Sequence, residues 1–151
     1  IISITPQKRL WRNYDRLSAM SPVADEIRGA LKKYSGKSIQ MGYGQDVAKT
    51  YGLTNPRPLL AFAGNPTTVT GPSAMEMRYQ GEPVSGALLE HIQGCKTDLW
   101  LIPKGERPFT MNNYFKNEPA FWPEFQEAFN VAYERQASLK YFDVWACKRS
   151  K

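Results

Sequence analysis

Histidine is almost absent from this chain: His91 is the only one in 151 residues. A histidine-based metal cluster is therefore excluded, and any histidine-dependent catalysis would rest on one side chain. Its neighbours Glu90 and Ile92 offer no nucleophile to orient, so it reads as a partly exposed helical residue. Ser73, Ser85 and Cys95 have no elbow-type motif around them. The two cysteines, Cys95 and Cys147, have neither metal-ligand spacing nor the number for a disulfide framework. Each is most simply a small buried hydrophobe, and a single bridge between them stays open, as does the redox compartment. No run approaches the roughly 20 apolar residues of a membrane span. There is no internal repeat and no low-complexity tract. The residues call for no cofactor and no metal.

What is present suits one domain. A content of 42% hydrophobic and 13% aromatic residues is enough for one packed core and too little for two. We read residues 1–20 as a basic, aromatic arm or linker and residues 21–151 as a single α/β domain. The net charge of +6 would attract nucleic acid, anionic lipid or a phosphorylated ligand, or mark a soluble protein with a basic surface. No recognition helix, ribonucleoprotein-type strand or zinc spacing accompanies it, which argues against nucleic acid. The opening Ile1-Ile2-Ser3-Ile4, with no methionine, predicts a processed or excised product whose upstream part is missing. From Lys8 to Arg16, basic residues alternate with Leu10, Trp11 and Tyr14. That pattern fits a solvated helical arm or a juxtamembrane segment on anionic headgroups.

Periodicity predicts the elements. Ser21 and Pro22 open a helix whose Val23, Ile27, Leu31 and Tyr34 share a face, and Gly36 stops it. Residues 38–43 form a strand, 46–51 a short helix ended by Gly52, and 58–62 the next strand. Ser73 and Glu76 fit a capping box opening a turn or two of helix. Val84, Leu88 and Ile92 give the next helix, and Leu99–Ile102 a strand. After a long loop, Phe125, Phe129, Ala132 and Tyr133 line a last helix, and residues 141–147 a final strand. Helices alternating with apolar strands predict a three-layer Rossmann-like sandwich: a mostly parallel sheet of about four strands with helices on both faces.

Two segments carry candidate chemistry. Gly42-Tyr43-Gly44 resembles the start of a dinucleotide fingerprint, but the third glycine and the later acidic residue are missing, leaving a tight strand-to-helix turn. The loop from Lys104 to Pro119 sets Lys104, Glu106 and Arg107 beside Phe109, Asn112, Asn113, Tyr114 and Phe115. Aromatic faces beside amide and charged donors suit a sugar or an anionic head group, while aromatics that plug the core are the plainer account. We take Lys104, Glu106, Arg107, Asn112 and Tyr114 as candidate ligand-binding residues and assign no catalytic residue.

The order Trp100-Leu101-Ile102-Pro103-Lys104-Gly105-Glu106-Arg107-Pro108-Phe109, a helix with Phe125 and Phe129, then Tyr141-Phe142-Asp143-Val144-Trp145 and a basic end carries a further likeness. Over about residues 22 to 149 it resembles the C-terminal soluble domain of bacterial multi-span glycosyltransferases related to the dolichyl-phosphate-mannose protein mannosyltransferases. The resemblance implies a non-catalytic domain outside the cytoplasm, joined to a membrane-embedded portion of the same polypeptide that uses a lipid-linked sugar. Catalysis would lie in that portion. Contacts to glycan or acceptor would come from residues 64–72 and 104–114. The basic arm fits entry from a membrane, although positive charge more often marks the cytoplasmic side. The alternative is a free-standing α/β enzyme or binding protein for a phosphorylated or nucleotide ligand, with Lys104 and Arg107 as anion contacts.

Overall fold

A computed structural model describes residues 21–114 and 116–148. The basic arm, Phe115 and the last three residues lie outside the described residues. Residues 21–33 are helical (α1), Ser21 included. Val23, Ile27 and Ala30 are its buried stripe, at the spacing of one helix face. The chain continues through β1 (Ile39–Met41), α2 (Val47–Thr54), α3 (Pro58–Phe62), α4 (Gly71–Tyr79), α5 (Gly86–Gln93), β2 (Leu99–Pro103), α6 (Pro123–Ala132), β3 (Tyr133–Ser138) and β4 (Phe142–Cys147).

The four strands form one sheet in the order β1-β2-β4-β3. Only β1 and β2 run parallel; β2 with β4 and β4 with β3 are antiparallel. This mixed sheet overturns the mostly parallel Rossmann-like sandwich. Two misread segments explain the difference. Pro58-Leu59-Leu60-Ala61-Phe62 is helix α3, not a strand. A short apolar run between turn residues fits either element, and the proline suits a first helical position. Leu60 is buried there while Phe62 is 90% exposed, a split that a central strand would not tolerate. Conversely Tyr133, which continues the apolar face of α6, is the first residue of β3. That strand is polar after Tyr133, as an edge strand protected against further pairing should be, so its hydrophobic alternation is faint.

Successive residues of β2 point to opposite faces, and both faces are covered. Leu99 and Leu101 join Ile39, Met41, Phe142 and Val144 beneath α1 and α3. Trp100 and Ile102 join the larger aromatic cluster built from α4, α5, α6 and the loop after β2. Glu26 of α1 closes the β3–β4 turn, its carboxylate accepting from the amides of Lys140, Tyr141 and Phe142 at 2.9, 2.9 and 3.2 Å. Cys95, just after α5, and Cys147, at the end of β4, form a disulfide with Cα atoms 5.8 Å apart. The bridge that the sequence leaves open thus fastens α5 to the sheet.

Candidate functional site

Because β1 and β2 are the parallel pair, their carboxyl ends release two loops side by side. Glu106, from the loop after β2, reaches across to the loop after β1. Its Oε2 accepts from the amides of Gln45 and Asp46 at 2.7 and 3.1 Å, and Lys49 Nζ lies 3.0 Å from Oε1. Lys49 also donates to the Lys104 carbonyl at 2.7 Å. Gly44 is required here, since a Cβ on it would overlap the Glu106 carboxylate. Gly42 is required for packing, because its Cβ would meet Ile102 Cδ1 and the Phe109 ring. The glycines after β1 therefore make room for the protein's own side chains. The start of α2, where a dinucleotide's phosphates would sit, is held by Glu106 and by Asp46, whose carboxylate caps the Lys49 amide at 2.8 Å.

Arg107 is exposed and its Nε donates to Gln45 Oε1 at 3.4 Å. Beside it runs an open cleft of about 610 Å³ lined by Glu106, Arg107, Asn130, Arg135, Asp143 and Trp145. Asp143, 2% exposed, accepts from the Gly105 amide at 2.9 Å and from Ser138 Oγ at 2.6 Å, with Arg135 Nη1 at 3.6 Å. Both carboxylates of the cleft are thus engaged in holding loops and strands. Lys104 is exposed and does not line the cleft.

Asn112 and Tyr114 lie in a second place. Residues 111–120 fold back on themselves: Asn112 bridges Pro119, the Ala120 amide donates to Met111 at 3.0 Å, and Asn112 Nδ2 donates to Asn117 Oδ1 at 3.0 Å. Asn112 therefore shapes the loop, and Tyr114 stands out from it at 66% exposure. Facing it is α4, whose Tyr79 is 58% exposed. Between them lies a groove of about 460 Å³ lined by Pro72, Met75, Glu76, Tyr79, Asn113, Tyr114 and Lys116. Lys116 Nζ lies 4.7 Å from the centre of the Tyr79 ring, within cation–π range. Arg78 donates to the Phe121 carbonyl at 2.6 Å and Trp122 Nε1 to the Glu82 carbonyl at 2.8 Å, tying α4 and its exit turn to the loop's end.

The structure thus divides the five candidate residues, with Lys104, Glu106 and Arg107 at the strand ends and Asn112 and Tyr114 at the groove. Tyr79, Glu76 and Lys116 were missed. The available signal was an aromatic at the end of a short, weakly patterned helix, and only folding back of the loop sets it opposite Tyr114.

His91 packs away from both places. Its Nε2 lies 2.8 Å from Thr97 Oγ1, which also accepts from Gln40 Nε2 at 2.8 Å, and Gln40 Oε1 accepts from the amide and hydroxyl of Thr68. Burial holds the imidazole below its usual pKa, with Lys96 adding to the effect. A histidine in a network that joins α5 to β1 fits a structural role. No group of three or more acidic, histidine or cysteine side chains placed to hold a metal occurs among the described residues. None of their helices is long and apolar enough to cross a membrane. Comparison of the chain with models of protein families, with curated proteins and with solved structures gave no match.

Proposed function

We propose that this chain is a non-catalytic, extracytoplasmic domain of a membrane glycosyltransferase-like protein, and that it contacts glycan in the groove between α4 and the 111–119 loop. The observation that carries the reading is the pair Tyr79 and Tyr114, two largely exposed rings that line one groove. Such faces pack against the apolar side of a pyranose, while Glu76 and Lys116, which line the same groove, are polar partners for hydroxyls. The resemblance to the soluble domains of multi-span glycosyltransferases supplies the class. The Cys95–Cys147 disulfide supports a location outside the cytoplasm, since structural disulfides persist in oxidising compartments.

Titration with a panel of neutral oligosaccharides, read by saturation-transfer NMR, tests the groove. We expect at least one saccharide to saturate, and Tyr79→Ala and Tyr114→Ala each to weaken it about tenfold, the loss expected of an interface anchor. A panel with no binder, or binding untouched in the double variant, would overturn the glycan contact. Fractionation of cells expressing the full gene tests the membrane setting separately. A soluble product with no membrane spans encoded upstream would end that part of the reading.

A further inference from the structure

The groove does not account for a second feature, on the far side of Tyr43. Arg57 stacks its guanidinium over the Tyr43 ring, 4.9 Å from the centroid, and Tyr51 packs on the same ring with centroids 6.4 Å apart. Three donor atoms around this ring are buried without a hydrogen-bond partner: Nε and Nη2 of Arg57 and the hydroxyl of Tyr51. A buried donor without a partner is costly, and a charged one more so. The two arginine atoms are not an arbitrary pair. Nε and Nη2 form one edge of the guanidinium, the fork whose parallel N–H bonds match two oxygens of a carboxylate or phosphate. Contact with the Tyr43 ring restrains the guanidinium, so less freedom remains to be lost on binding. Arg57 as a whole is half-buried, which places the fork just beneath the surface, beside a narrow crevice lined by Gln40, Asn65, Pro66 and Thr67.

We propose that the Nε–Nη2 edge of Arg57, with the Tyr51 hydroxyl as a further donor, is a binding site for a small oxyanion, a carboxylate or phosphate group. The state of Tyr51 agrees with this. Burial, with Tyr43 and Tyr114 adding and Arg57 opposing, pushes its pKa up to about 12, so the phenol keeps its proton to donate. The crevice is closed to a water-sized molecule as it stands, so Pro66 and Thr67, which have no regular secondary structure, must shift to admit the ligand. The inference does not depend on the glycan reading, because the anion contacts it assigns, on Arg57 and Tyr51, are not groove residues.

The test uses the ¹⁵N-labelled full chain in anion-poor buffer at constant ionic strength, titrated with sodium phosphate and, separately, with sodium acetate. We expect a saturable shift of the Arg57 Nε–H resonance with at least one of the two, and whichever saturates identifies the oxyanion. Arg57→Lys keeps the charge but loses the fork, and should weaken binding about tenfold. Tyr51→Phe removes one donor and should weaken it about fivefold. The same ion should raise the thermal midpoint of the wild type and leave that of Arg57→Met unchanged. Absence of a saturable Nε–H shift with either ion would overturn the site, as would an equal shift with chloride, which reports only screening. Both readings come from the wild type and hold if a variant fails to fold.

Discussion

Two stretches of the loop between β2 and α6 behave as if they belonged to different proteins. In the first, Phe109 is fully buried, with ring centroids 4.9 Å from both Phe125 and Phe129 and 5.1 Å from Phe121. Five residues on, in the middle of the loop, Tyr114 stands 66% exposed over a groove. Phe109 even adopts φ +55°, a left-handed conformation that a bulky residue takes only where its surroundings impose it. Its amide donates to the Tyr43 carbonyl at 2.7 Å, which binds the loop to the turn after β1. The contrast teaches that aromatic content in a loop carries no single meaning. The first aromatic is a plug in the core and the later one a surface, and their neighbours in space decide which.

The sharpest way to break this contrast is Phe109→Ala. It removes the ring at the centre of the aromatic cluster and should cost about 4 kcal/mol, the range of buried phenylalanine truncations. Urea denaturation followed by tryptophan fluorescence would measure it, and a loss under about 1 kcal/mol would mean that Phe109 is not the plug described.

Next comes the Cys95–Cys147 bridge, which closes a sequence separation of 52 residues. Reduction, or the double serine variant, should destabilise the fold by about 3 kcal/mol, with the melting temperature as the readout. An unchanged melting temperature after dithiothreitol treatment would remove the bridge from the account, and with it the support it lends to an oxidising location.

Glu106→Gln should be milder, about 2 kcal/mol, because the carboxylate is nearly buried and accepts two amide bonds and a lysine contact. Amide hydrogen exchange at Gln45 and Asp46 should rise in this variant. Exchange that stays at the wild-type rate would show that Glu106 does not staple the two loops.

The smallest stability effect belongs to the groove at the middle of the loop. Tyr79→Ala with Tyr114→Ala should change unfolding free energy by under about 0.5 kcal/mol, as exposed positions do. That outcome keeps any lost glycan binding attributable to the groove. A cost of about 2 kcal/mol or more would return both tyrosines to a packing role and erase the difference between Phe109 and Tyr114.

Much of this molecule was legible before folding. Val23 and Ile27 marked one helix face, and Phe125 and Phe129 another, because burial on one side imposes a helical repeat on the residues themselves. The strands around Leu99 and Val144, buried on both faces, announced themselves as continuous apolar runs. Other features were not legible. Pro58–Phe62 carries too few residues for periodicity to separate helix from strand, and β3 hides its strand character behind edge charges.

The sequence by itself determined the buried faces of two helices and the apolar strands at the centre of the sheet, and with one histidine it left no histidine-based metal cluster. It also placed two cysteines without saying whether they meet. Tertiary structure decided that they do, that the sheet is mixed, and that Glu106 spends its charge inside the protein. It also set Tyr114 opposite Tyr79 and left the fork of Arg57 without a partner. The reason is physical. Composition and repeat record how much each residue prefers burial, whereas pairing direction and the partners of a buried charge depend on residues far apart in the chain that meet only when it folds.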